Sequence, residues 1–137
     1  MPVPGLNHVR IPRPLLLHQL DSVERSQAAG RDTSGNPVEA WTQTYPSSRY
    51  PKPLRAFVNE LHPREVFLYQ QAGIEAQYEI YIDRFDDGTV PDIGIRDRIR
   101  WGTWPNGAPK YLRVTSAYNP LGANVLLEVT ASAREPG

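Results

Sequence analysis

The chain contains no cysteine. Disulfide frameworks, cysteine zinc sites and thiol nucleophiles are thereby excluded together. It also lacks net charge, since Lys+Arg and Asp+Glu each number 15. A general nucleic-acid glue needs a basic excess, so that class is disfavoured, although a neutral surface is compatible with DNA passing nearby. No apolar run approaches the ~18 residues of a membrane span. The opening residues Met1, Pro2, Val3, Pro4 and Gly5 are too polar and proline-rich for a signal peptide. Catalytic signatures are missing as well. No Gly-x-Ser-x-Gly elbow and no phosphate-cradling glycine loop occur, and His8, His18 and His62 share no ligand spacing. Asp83, Asp86 and Asp87 lack the regular oxygen spacing and closing Glu of a calcium loop. Neither an enzyme, a metal site nor a cofactor is expected.

What is present points to β structure. The 137 residues suffice for one domain with a modest core. Apolar content of 39% argues against disorder throughout, and 14 Pro with 10 Gly argue for many turns and few long helices. Residues 1–14 hold four prolines and form an N-terminal segment that sits in neither helix nor central strand. It is either a frayed terminus or an arm on a neighbouring subunit anchored by Leu6, Val9 and Ile11. A single domain over 15–133 and a short tail at 134–137 follow.

Within the domain, 15–23 reads as a strand and the polar stretch 24–34 as a loop. Asp32 and Gly35 close that loop, because an Asp carboxylate bonds its own backbone two residues on and Gly accepts positive φ. Residues 38–44 form a strand centred on Trp41. Three prolines stiffen the loop at 45–53, where Tyr45 and Tyr50 either fold back on the domain or make contacts. A strand at 54–61 precedes the one helix, 63–72, with Pro63 at its first position and Gly73 just past its end. Val66, Phe67 and Tyr69 are its expected inward residues.

The second half alternates strongly. Tyr78, Ile80 and Ile82 share one face of a strand at 74–83, with Glu75, Glu79, Tyr81 and Asp83 on the other. In 95–101, Ile95, Ile99 and Trp101 oppose Arg96, Arg98 and Arg100. Strands at 110–118 and 125–131 follow, with Leu112 and Val114, then Val125, Leu127, Val129 and Ala131, directed inward. Turns at roughly ten-residue spacing predict an all-β fold, a small antiparallel barrel or sandwich of about six to seven strands with one short helix and long loops. Trp41, Tyr78, Ile80, Ile82, Ile99, Trp101, Val114 and Leu127 are its expected core. The acidic stripe (Glu75, Glu79, Asp83) and the basic stripe (Arg96, Arg98, Arg100) either pair across adjacent strands or form complementary patches between subunits. A basic stripe on nucleic acid is a weaker alternative.

The order of these elements resembles the tailed-phage head–tail joining proteins, also called head-closure, head-completion or stopper proteins. The resemblance rests on Asp32 to Gly35 before Trp41, then Leu54-Arg55-Ala56-Phe57-Val58 and Pro63-Arg64-Glu65. Tyr78-Glu79-Ile80-Tyr81-Ile82, Arg98-Ile99-Arg100-Trp101-Gly102, Tyr111-Leu112-Arg113-Val114 and Val125-Leu126-Leu127-Glu128-Val129 complete it. It covers 15–132. Pro63 replaces the common Gly, the N-terminal segment is longer than the pattern, and the 45–53 loop is enlarged. The resemblance implies a dodecameric or hexameric homo-oligomeric ring in the virion neck, assembled in the bacterial cytoplasm. A portal or adaptor protein lies above such a ring, a tail-completion or tail-terminator protein below, and packaged double-stranded DNA in its lumen. It further implies a gate loop, for which 24–34 (Arg25, Arg31, Asp32) and 45–53 (Tyr45, Arg49, Tyr50, Lys52) are the candidates. A different class, a small OB-like or SH3-like module binding nucleic acid or peptide, is motivated by the arginine stripe and the loop tyrosines.

Overall fold

A computed structural model describes residues 18–133. The proposed anchors Leu6, Val9 and Ile11, the first residues of the expected 15–23 strand, and the tail at 134–137 lie outside the described residues.

The elements run β1 (His18–Gln19), β2 (Ser22–Arg31), β3 (Pro37–Tyr45), β4 (Arg55–Glu60), α1 (Pro63–Gln71), β5 (Tyr78–Asp83), β6 (Asp97–Thr103), β7 (Pro109–Tyr118) and β8 (Leu126–Ser132). Every pairing among them is antiparallel, and they form one sheet ordered β1-β4-β5-β8-β7-β6-β2-β3. The expected all-β class with one helix is found. The sheet is open rather than a closed barrel, with β1 and β3 at its two edges among the described residues.

The sheet is nevertheless rolled. Strand β1 sits at one edge and β2 next to the other, yet only Leu20 and Asp21 separate them in sequence. Leu20 N–H donates to the Leu54 carbonyl at 3.0 Å, and Asp21 N–H donates to the Arg100 carbonyl at 2.9 Å. Consecutive amides thus bond to opposite flanks, and the sheet must curl to bring those flanks together. The curl encloses the main core. Leu20, Val23, Ala56, Val58, Tyr78, Ile80, Ile82, Ile99, Leu112, Val114, Leu127, Val129 and Ala131 all belong to it, with Trp101 packed against its margin. The alternating residues of β4, β5, β7 and β8 supply that face, as period-two patterning dictates.

Helix α1 starts where expected. His62 caps it, its Nδ1 accepting from Arg64 N–H at 3.2 Å while Glu65 Oε1 accepts from His62 N–H at 3.2 Å. Gly73 takes φ 78° just past the end, which a side chain would disfavour. Tyr69 points inward with Leu61 and Ala76, and Val66 packs beside them. Phe67 does not follow, being 58% exposed, because the nine-residue helix covers the sheet along one narrow stripe.

Three further expectations fail. Residues 24–34 are not a loop, since β2 continues to Arg31. Ile95 and Val125 lie outside the strands and are largely exposed, at 69% and 48%. The acidic and basic stripes do not face one another, because β5 pairs with β4 and β8 whereas β6 pairs with β2 and β7. Strand direction also gives the molecule two distinct ends. Helix α1 and the β6–β7 turn close one end. The β3–β4, β5–β6 and β7–β8 loops gather at the other, and β2 runs out beyond them.

Ile80 is fully buried at the centre of this sheet. Ile80→Ala is expected to lower the unfolding free energy by about 2–5 kcal/mol in urea titration. Phe67→Ser, on the exposed side of α1, is expected to change it by less than about 0.5 kcal/mol.

Candidate functional site

The loop end of the sheet carries the most distinctive feature of the fold. Strand β2 pairs with β6 only over Ser22 to Arg25, with a last bond from Ser26 N–H to the Arg96 carbonyl. Beyond that point, among the described residues, β2 pairs with β3 alone, as far as Arg31 opposite Pro37. Residues 26–40 therefore form a two-stranded ribbon projecting from the sheet. Every residue from 30 to 40 is exposed. The tip is well ordered by its own chemistry. Asp32 Oδ1 accepts from Ser34 N–H and Asn36 N–H, each at 2.9 Å, and Gly35 adopts φ 82°. Arg31 Nη1 donates to the Gly35 carbonyl at 2.7 Å.

Two arginines hold the ribbon at its base. Arg25 Nε donates to Asp97 Oδ1 at 2.9 Å and its Nη2 donates to Oδ2 at 3.2 Å. Asp97 is 1% exposed and also accepts from Gly94 N–H at 2.8 Å. The hydrogen bond donated to Asp97 pushes the Arg25 pKa above its ordinary value, so the guanidinium stays charged. Arg98 Nε donates to Glu24 Oε1 at 2.9 Å. Its guanidinium lies 4.0 Å from the Trp41 ring centroid and 3.8 Å from that of Tyr111. Strands β3, β2, β6 and β7 thus meet in one sandwich of two rings around a cation. Arg113 approaches Glu39 at 3.8 Å on the same face.

A second cluster lies beside the ribbon. The rings of Tyr50 and Phe85 stack at 3.6 Å between centroids, and Tyr45 tilts against both. Tyr45 OH accepts from Asp92 N–H at 2.9 Å, and Tyr50 OH donates to Asp87 Oδ2 at 2.8 Å. The tyrosines fold back to join the 45–53 loop to the β5–β6 loop. Asp87 also accepts from the Thr89 hydroxyl at 2.6 Å and from Thr89 N–H at 2.9 Å. These bonds, the hydroxyl's foremost, lower its pKa to about 2. Arg49 lies 3.9 Å from the same carboxylate. Lys52, Arg55, Asp83 and Arg84 join Tyr50 and Asp87 around an open cleft of about 480 Å³.

The structure sorts the sequence candidates accordingly. Tyr45, Arg49, Tyr50 and Lys52 gather at the loop end, whereas Arg31 and Asp32 stand apart at the tip of the ribbon. Arg25 lies in β2, and its guanidinium is committed to Asp97, so it is no loop residue. Trp41 is half-buried against the Arg98 guanidinium rather than a core anchor, because it lies on the ribbon side of the sheet, outside the main core. Arg98 is tied down internally, whereas Arg96 and Arg100 are exposed. Glu75 is exposed ahead of β5. Glu79 and Asp83 are 3% and 5% exposed, so no acidic surface stripe exists there. Glu79 instead accepts from Tyr69 OH at 3.0 Å and from Tyr81 OH. Burial, and then the Glu79 charge and hydrogen bonds, push both phenols above their ordinary pKa. Burial, together with a bond to Glu128, does the same for Tyr118. This network supplies hydrogen bonds to Glu79 and Glu128, carboxylates buried on the outer face of β5 and β8. Among the described residues no group of three or more His, Asp or Glu is arranged to hold a metal ion.

Sequence reasoning missed the Trp41–Arg98–Tyr111 sandwich, which depends on strand order and carries no local signal. No protein-family model and no curated protein matches the chain. A solved structure similar to it is the solution structure of protein SF1141 from Shigella flexneri 2a. The two are 22% identical, the match covers 84% of this chain and 93% of that one, and the TM-score is 0.49. That similarity assigns neither a family nor a function.

Arg98→Glu removes both ring contacts and sets a second carboxylate beside Glu24. It is expected to destabilise the isolated domain by about 1–3 kcal/mol in urea titration. Asp87 is ionised in the fold down to about pH 2, below its ordinary 3.8. Its contribution to loop packing is complete above about pH 4 and is lost as the pH falls through about 2. Tyr50 ring resonances are expected to shift across that window in the native chain and to show no such titration in Asp87→Asn.

Proposed function

We propose that this protein is a structural subunit of the tailed-phage neck. Copies assemble into a ring that closes the DNA-filled capsid below the portal or adaptor and offers an attachment surface to the tail. Its partners are further copies of itself, the portal or adaptor protein, a tail-completion or tail-terminator protein, and packaged DNA in the lumen. The carrying observation is the ribbon at 26–40, exposed on both faces over 30–40 and projecting past the sheet. An isolated two-stranded ribbon is at best marginally stable and contributes no core. An element of that kind has value when a neighbouring molecule covers it. The ordered resemblance along 15–132 supplies the identity of the assembly, and the zero net charge suits a lumen that lets DNA slide.

The ribbon replaces the expected 24–34 loop as the gate candidate, with Arg31 and Asp32 at its tip. The 45–53 loop is the weaker candidate, because Tyr45 and Tyr50 pack it onto Phe85. The alternative of a nucleic-acid-binding module draws less support. Of its three-arginine stripe, Arg98 is already engaged by Glu24, Trp41 and Tyr111.

The reading is tested by electron microscopy of the protein mixed with the portal and adaptor proteins from its own genome neighbourhood. The native chain is expected to form rings on the portal. A variant with 28–38 replaced by a two-residue Asn-Gly turn is expected to remain folded by circular dichroism and to lose ring formation. A native chain that stays monomeric with both partners at tens of micromolar would reject the proposal.

A further inference from the structure

The open cleft between the 45–53 loop and the β5–β6 loop has a charge pattern that neither the core nor the ribbon requires. Arg49 and Lys52 border it on one wall, Arg84 on the other, and Arg55 at the start of β4. All of these cations are exposed. The carboxylates of the cleft do not balance them at its mouth. Asp83 is 5% exposed and lies below the surface. Asp87 accepts from the Thr89 hydroxyl, from Thr89 N–H and from the Tyr50 hydroxyl, with Arg49 beside it at 3.9 Å. Among the described residues no ion pair engages Lys52, Arg55 or Arg84. These cations therefore face Asp86 as the exposed carboxylate. Gathering them costs electrostatic free energy in the isolated chain, and an anion in the cleft removes that cost.

The walls hold their shape before any ligand arrives. Ser47 N–H donates to the Tyr50 carbonyl at 2.9 Å, and Tyr50 N–H donates to Ser47 Oγ at 3.1 Å. Pro51 and Pro53 fix φ on either side of Lys52. On the facing wall, Phe85 N–H donates to the Thr89 carbonyl at 2.8 Å and Gly88 N–H to the Phe85 carbonyl at 2.9 Å. The Tyr50–Phe85 stack joins the walls at 3.6 Å. A site arranged in advance loses less entropy on binding.

The donors select the kind of anion. Each guanidinium offers a planar fork of N–H groups, and Lys52 adds a compact ammonium. A lone carboxylate carries one charge and is satisfied by one fork. Two forks and an ammonium match a group with three acceptor oxygens and a charge of roughly −2, which is a phosphate. The cleft volume of about 480 Å³ leaves room for an attached organic group. We propose that the cleft binds a phosphate group through Lys52, Arg55 and Arg84, with the stacked Tyr50 and Phe85 rings as the wall against which the rest of the ligand lies. Binding needs no second copy, so it stands apart from the assembly reading and is measured on the isolated chain.

Free phosphate, a phosphate monoester and a nucleic-acid backbone share this chemistry, and the test separates them. The isotope-labelled full chain is titrated by NMR with inorganic phosphate, phenyl phosphate and a short DNA duplex, at constant ionic strength set with sodium chloride. Saturable shifts are expected at 52–55 and 84–87, with inorganic phosphate half-saturating below about 10 mM. Arg55→Gln/Arg84→Gln, checked for folding by circular dichroism, is expected to weaken binding at least about tenfold. Arg64→Gln, an exposed change on α1, is expected to leave it unaltered. The tightest of the three probes identifies the source of the phosphate, and saturation by any of them at the cleft supports the site. Shifts reproduced by sodium chloride alone overturn the proposal, as does equal binding by Arg55→Gln/Arg84→Gln and Arg64→Gln. An absence of saturation with all three probes overturns it too. A hexaglutamate peptide that binds more tightly than every phosphate probe also overturns it, by assigning the cleft to an acidic protein segment.

Discussion

The whole architecture depends on the two-residue crank at Leu20 and Asp21. A flat eight-stranded sheet would leave β1 and β2 far apart, yet the chain allows them only two intervening residues. The amides of Leu20 and Asp21 bond to opposite flanks, on Leu54 and Arg100. Asp21 Oδ2 also accepts from Gly102 N–H at 3.0 Å, which pins the β6 flank a second time. With the flanks drawn together, the inner faces of β4, β5, β7 and β8 have only each other to pack against. Leu20 itself, 1% exposed, fills the space beneath the bend. One backbone constraint therefore produces both the curl and the single core.

Rolling the sheet forces a choice on its outer face. At β5 and β8 that face is buried as well, and it carries carboxylates. Phenol hydroxyls offset part of the cost of that burial. Tyr69 and Tyr81 donate to Glu79, and Tyr118 bonds with Glu128. A buried carboxylate with its hydrogen bonds made costs far less than one without them. The same side chains at a solvent-facing position would look identical in sequence, which is why Glu79 and Asp83 suggest a surface stripe on pattern alone.

The ribbon follows the opposite logic. It leaves the sheet beside Asp97, where β6 begins, and adds no residue to the main core. Its order comes from the Asp32 turn at the tip and from two arginines at the base. Arg25 locks onto the buried Asp97, and Arg98 lies between Trp41 and Tyr111. These contacts stiffen the attachment of the ribbon to the sheet. An exposed, projecting element with a rigid base is suited to contact between molecules, and it lies at the same end as the loop cluster of Tyr45, Tyr50 and Phe85.

Much of the fold was legible because burial writes itself into alternation. The β3, β4, α1 and β7 segments and most of the core followed from period and turn chemistry. Strand β2 was not legible beyond Val23. A ribbon exposed on both faces carries no alternating pattern, so Ser22–Arg31 resembles a polar loop. The sequence by itself determined the all-β class, the one capped helix, the Asp32 turn and the inward set of Ile80, Ile82, Ile99, Val114 and Leu127. Tertiary structure alone decided that the acidic and basic strands are not neighbours, that Trp41 stacks on Arg98 outside the core, and that the sheet rolls without closing. Those outcomes depend on strand order, and strand order here is set by a bend at two residues whose backbone bonds reach partners far away in the chain.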